Sequence, residues 1–139
     1  MSEKSGLRVI ALVLRIVFGL HFLVNGLNFF FHFFTVTPPK SELAMGLMHS
    51  LVESGMFDLV KMVEVVTGVA ILINCFVPLA LIVAFPVALG VAYVDVMLIG
   101  TWFGGWVLGL GTVGLNAALL LMYLKYYRPF LTLRSEPGL

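Results

Sequence analysis

The sequence predicts an all-α integral membrane protein: a four-helix bundle with cytoplasmic N- and C-termini and a short interfacial helix between its first two spans. Three observations carry this. The 139 residues are 61% hydrophobic and 11% charged, where soluble domains average about 25% charged, and mean hydropathy is +1.11. Four apolar runs reach the ~20 residues with which a helix crosses a ~30 Å hydrocarbon core. The links between the last three runs are so short that those helices must be antiparallel neighbours. One domain covers residues 1–139. A net charge of +1 leaves no basic patch for nucleic acid. The single Cys75 excludes an internal disulfide or a CxxC redox pair.

Span one is about Leu7–Phe34. It is too long for a signal-peptide core and has no small-residue cleavage site, so a retained helix is expected. Thr37, Pro38 and Pro39 stop it. In the loop that follows, Ser41 is placed to cap a short helix, with Glu42 in its first turn and Gly55 at its end. Leu43, Ala44, Leu47, Met48, Leu51 and Val52 share one side of that helix, and Glu42, His49, Ser50 and Glu53 the other. Two placements fit: on the outer membrane surface, or folded over the bundle mouth as a lid. Span two is about Phe57–Phe76. Span three, about Pro78–Gly100, contains Pro86 as an expected kink. Span four, about Trp102–Tyr123, follows the tight turn around Thr101.

Positive residues set the orientation. Lys4 and Arg8 precede span one, and Lys125, Arg128 and Arg134 follow span four. In the long loop Lys40 is offset by Glu42 and Glu53. Both termini are therefore expected in the cytoplasm. Trp102 and Trp106 mark the outer boundary, and Tyr123, Tyr126 and Tyr127 the inner one.

Polar residues inside the spans are expensive in lipid and must face protein or water. On span one His21, Asn25, Asn28 and His32 recur at helical spacing and form one stripe. Span two carries Lys61 and Glu64, span three Asp95, and span four Asn116. Depth counting at ~1.5 Å per residue brings His21, Asn25, Asn28, Lys61, Glu64 and Asp95 toward one zone in the outer half, a candidate binding site or polar network. A charge at mid-membrane costs about 2.5–3.5 kcal/mol on insertion scales, so Glu64 needs a partner: Arg15, Lys61 or His21. Lys61 lies near an interface, where solvation is its simplest state. Arg15 and Asn116 fall at one level in the inner half and read as structural polar pairing. Gly19, Gly26 and Gly68 read as close helix contacts, and the glycine series of span four as tight packing or an oligomer face. Bis-histidine haem would need a second histidine on a facing helix, and spans two to four contain none. No metal site is expected for the same want of clustered ligands.

These residues resemble a known pattern. Span one reads Leu14-Arg15-Ile16-Val17-Phe18-Gly19-Leu20 and then Asn25-Gly26-Leu27-Asn28. Span two reads Val60-Lys61-Met62-Val63-Glu64-Val65-Val66-Thr67-Gly68, followed by Asn74-Cys75-Phe76-Val77-Pro78. From about Arg8 to Tyr127 the chain resembles the DoxX-like family of small four-helix bacterial membrane proteins. The resemblance implies a multi-pass protein of the bacterial inner membrane. It marks Arg15, Asn25, Gly26, Lys61, Glu64 and Gly68, and it implies association with respiratory or redox complexes. Where close relatives often place a histidine in span three, this chain has Asp95.

Three functions compete. The first is a non-catalytic membrane accessory subunit or assembly factor, in a quinol-linked or other redox complex, with membrane-protein partners or further copies of itself and no cofactor of its own. The second is a membrane protein that binds quinone or lipid in an outer-half polar pocket walled by Phe29, Phe30, Phe31 and Phe33. The third is a proton-coupled transporter protomer. Catalysis is not expected, since ligands and nucleophiles are too few.

Overall fold

The computed structural model describes residues 3–36, 38–39, 41–99 and 102–131. Thr37, Lys40, Gly100, Thr101 and Arg134 lie outside the described residues, as do the side chains of Lys4 and Trp102. The described chain is helical, with no strand. Three stretches are long and apolar enough to cross a membrane: Ser5–Phe31, Val77–Ile99 and Gly105–Met122.

Helix α1 (Glu3–Phe31) stops three residues before the expected Phe34. Asn28 is the cause. Its carbonyl accepts from His32 N (2.8 Å) and its side-chain Oδ1 from Phe34 N (2.8 Å). His32 then turns into left-handed backbone at φ 54°. Helix α2 (Glu42–Glu53) follows, and Ser41 Oγ accepts from Ala44 N at its start. The link to α3 (Met56–Leu72) uses Gly55 at φ 72°, a conformation that costs glycine nothing.

Helix α3 is shorter than the expected span. Its 17 residues reach only ~25 Å at ~1.5 Å per residue. It ends because Asn74 adopts φ 60° and closes a Schellman turn: Cys75 N donates to Ala70 O (2.8 Å) and Asn74 N to Ile71 O (3.3 Å). Helix α4 (Val77–Tyr93) begins at once, with Pro78 in its first turn, where a missing N–H is harmless. It runs through Pro86, which lies on its exposed side. The span continues as a π-helical segment, Val94–Ile99, and a second one, Trp102–Gly109, leads into α5 (Leu110–Met122). A short helix α6 (Leu124–Tyr127) and a 3-10 turn, Arg128–Phe130, close the described chain.

Helix α1 packs on α3, α3 on α4, α4 on α5, and α5 back on α1. The core between them holds Phe18, Phe22, Ile71, Leu81 and Leu119. Ala80, Ala84, Ala88 and Ala92 are all buried and four residues apart. They give α4 a flat inner stripe on which neighbours can sit close. The Tyr127 hydroxyl donates to Pro78 O (2.8 Å) and ties α6 to the first turn of α4. Burial, with Tyr123 adding to it, holds that hydroxyl above the usual phenol range, so it remains a donor.

Candidate functional site

The α1–α3 contact sets the levels at which polar groups meet. A Cβ on Gly68 would lie 2.7 Å from Leu23 N. One on Gly26 would lie 2.7 Å from Val65 Cγ2 and 3.0 Å from Lys61 O, and one on Gly19 2.9 Å from Leu72 Cγ. As residue numbers fall on α1 they rise on α3, so the two helices are antiparallel. All three glycines let the backbones approach where a side chain would hold them apart.

Between Gly19 and Gly26, His21 bridges α1 to α5. Its Nε2 lies 3.0 Å from Thr112 Oγ1, and Thr112 Oγ1 lies 2.7 Å from Leu108 O. Asn25 Nδ2 donates to His21 O (2.7 Å) and faces His21 Nδ1 at 3.2 Å. One proton arrangement satisfies all four contacts. Asn25 donates twice, His21 Nδ1 accepts, His21 Nε2–H donates to Thr112, and the Thr112 hydroxyl donates to Leu108 O. The chain of bonds holds a neutral imidazole and ties α1 to α5.

Lys61 and Glu64 form the second unit. Lys61 Nζ donates to Glu64 Oε1 (2.9 Å) and Oε2 (2.8 Å). The expectation that Lys61 is solvated is corrected: its side chain is 14% exposed and that of Glu64 4%. Lys61 also sits 5.1 Å from the Phe57 ring centroid, a cation–π distance. Of the three partners expected for Glu64, the structure selects Lys61. The partner stands three residues earlier on the same helix, where the two side chains share a face.

Asp95 lies in the first turn of the π-helical segment Val94–Ile99. A Cβ on Gly109 would lie 2.8 Å from Asp95 Cβ, so the glycine leaves room for it between the third and fourth long helices. The Asp95 carboxylate has no hydrogen bond among the described residues.

The remaining candidates separate from this zone. Asn28 is buried and terminates α1; it takes no part in the cluster. His32 is exposed. Arg15 and Asn116 do not pair. Arg15 Nη1 donates to Asn74 Oδ1, while Arg15 Nε is buried without a partner among the described residues. Asn116 is fully buried, with both amide atoms unpartnered among the described residues. Equal depth did not bring them together because Arg15 turns toward the end of α3. Sequence reasoning missed Thr112 and Asn74. Thr112 stands one turn before Asn116 on the same face, and Asn74 is a lone polar residue at the end of an apolar run; both were readable signals.

Surface clefts of about 330 and 230 Å³ lie elsewhere. One lies beside α2, between Pro38, Pro39, Met48 and Val52. The other is an apolar groove of Met62, Val66 and Val83. No group of three or more His, Cys, Asp or Glu residues is placed to hold a metal among the described residues. The arrangement thus binds helices to one another and leaves the Asp95 carboxylate without a hydrogen bond among the described residues. No family model matches the chain, and neither a curated protein nor a solved structure does.

Proposed function

We propose that the protein is a non-catalytic accessory subunit or assembly factor of the bacterial inner membrane. On this reading α1, α3, α4 with its π-helical extension, and the π–α5 unit form a four-helix membrane bundle with both termini in the cytoplasm. One observation carries the reading: His21, Asn25, Thr112, Lys61 and Glu64 are engaged with one another, while Asn116 and Asp95 stand apart from them. His21, Asn25 and Thr112 form one network, and Lys61 and Glu64 form a second. Polar chemistry of that kind fixes helix positions, and the large apolar exterior is left to lipid and partner helices. The resemblance to DoxX-like proteins points to a respiratory or redox complex as the host. The test is gentle detergent extraction of native membranes carrying the tagged chain, followed by native gel separation and identification of co-migrating proteins. A defined larger assembly with other membrane proteins is expected. A chain that migrates alone after cross-linking in the membrane contradicts the reading.

The Asp95 carboxylate, without a hydrogen bond among the described residues, favours one second reading, a ligand with a hydrogen-bond donor such as a quinol or a lipid headgroup. Mass spectrometry of small molecules retained by the wild-type chain and lost by Asp95→Asn would support it. Equal retention by both would remove it.

A further inference from the structure

We infer that α2 is a membrane-surface helix whose apolar flanks are seated in the outer leaflet of the bilayer. This rests on the membrane reading above and adds an interaction surface to it. Around α2, at about 100° per residue, Ala44 and Leu51 face the bundle, where α2 packs on α3 and the segment Val94–Ile99. Leu43 and Leu47 flank that contact on one side, and Met48 and Val52 on the other. Glu42, His49 and Glu53 lie on the opposite arc, with Met45 at one edge of it and Ser50 at the other, and His49 Nδ1 pairs with Glu53 Oε2 at 3.2 Å, both side chains exposed. A lid would turn its apolar arc inward and bury it. Here only Ala44 is buried, while Leu43 is 71% exposed and Val52 49%.

Continuity identifies the occupant. From the end of α2 the exposed apolar surface runs on through Met56, Leu59, Met62 and Val66 of α3, a stripe that faces lipid if α3 spans. At the end of α1, Phe31 and Phe33 stack at 5.6 Å and are both exposed. An apolar arc wider than its protein contact, opposite a charged arc, suits burial of about 5–10 Å into the headgroup–acyl boundary. A second copy of the chain would cover a bounded patch instead of a surface continuous with the lipid-facing stripe.

The test uses nitroxide side chains introduced singly at Leu43, Val52, Glu53 and Val66 of the full chain carrying Cys75→Ala. The protein is reconstituted in phosphatidylcholine–phosphatidylglycerol vesicles, and collision rates with oxygen and with a nickel chelate are compared. Oxygen should exceed nickel at Leu43 and Val52, several-fold more than at Glu53, where nickel should dominate. Val66 should be the deepest. Nickel dominance at Leu43 and Val52 overturns the inference, and so does shielding from both reagents, which would mean cover by protein. Nickel dominance at Val66 overturns the membrane reading itself.

Discussion

Replacing Gly68 with alanine tests the α1–α3 contact most directly. The added methyl would meet Leu23 N at 2.7 Å, Gly19 O at 3.0 Å and Leu23 Cα at 3.0 Å. All three are backbone atoms, so no rotamer change relieves them and the helices must part. Overpacking of this kind costs about 1–3 kcal/mol, and alanine returns about 0.8–1 kcal/mol of helix propensity. With rigid neighbours the upper part of the range applies, giving a net loss of about 1–2 kcal/mol. Gly26 meets one side chain and two backbone atoms, and Gly19 only the side chains of Leu72 and Ile71; their losses should be successively smaller. Gly114 has nothing within 4 Å, so Gly114→Ala should gain about 0.5–1 kcal/mol. Unfolding in mixed micelles of rising dodecyl sulfate content, followed by far-ultraviolet circular dichroism, should rank stability as Gly114→Ala, wild type, Gly19→Ala, Gly26→Ala, Gly68→Ala. Gly68→Ala at or above wild-type stability would refute the close approach. A loss at Gly114 would place another chain against α5.

The same unfolding series reads three further changes. Lys61→Met or Glu64→Gln breaks a buried pair and should cost about 3–5 kcal/mol each, with the double variant less damaged than either. Additive losses would mean that the pair does not interact. Thr112→Val removes the acceptor of His21 and should cost about 0.6–1.7 kcal/mol; no loss would mean that His21 finds another partner. At Asn74, glycine keeps the left-handed backbone and loses only the Arg15 bond, whereas alanine loses both. Asn74→Ala should therefore be the less stable of the two by about 1–2 kcal/mol, and equal stability would argue against the Schellman turn.

Hydropathy made the long apolar helices legible, and polar residues against that background marked the zone where His21, Asn25, Lys61, Glu64 and Asp95 are found. The start and end of α2 could be read from Ser41 and Gly55, because capping is local. Partners were less legible. Depth counting depends on helix ends, and α3 ends at Leu72 although its apolar run continues through Phe76. That shift lets Asn74 claim Arg15, leaving Asn116 alone. Lys61 was misread as solvated because its distance from an assumed boundary was counted, without the closing of α1 over it. The π-helical segments at 94–99 and 102–109 have no periodicity of their own that a sequence could announce.

The burial of Lys61 and the three α1–α3 glycines are parts of one device. Helix α3 carries Asp58, Lys61 and Glu64 in 17 residues and is not among the three stretches apolar and long enough to span unaided. On the proposed four-helix membrane reading its charges need cover, since each costs about 2.5–3.5 kcal/mol at mid-membrane. Internal pairing supplies part of it, and the remainder must come from a neighbouring helix close enough to exclude both lipid and water. At Gly26 the α1 backbone comes so near that an added Cβ would sit 3.0 Å from the Lys61 carbonyl. A larger residue there would open the helices at the level of the ion pair. On the proposed four-helix reading the polar network and the glycine contacts thus depend on each other: pairing makes α3 tolerable in the membrane, and close packing keeps the pair dry.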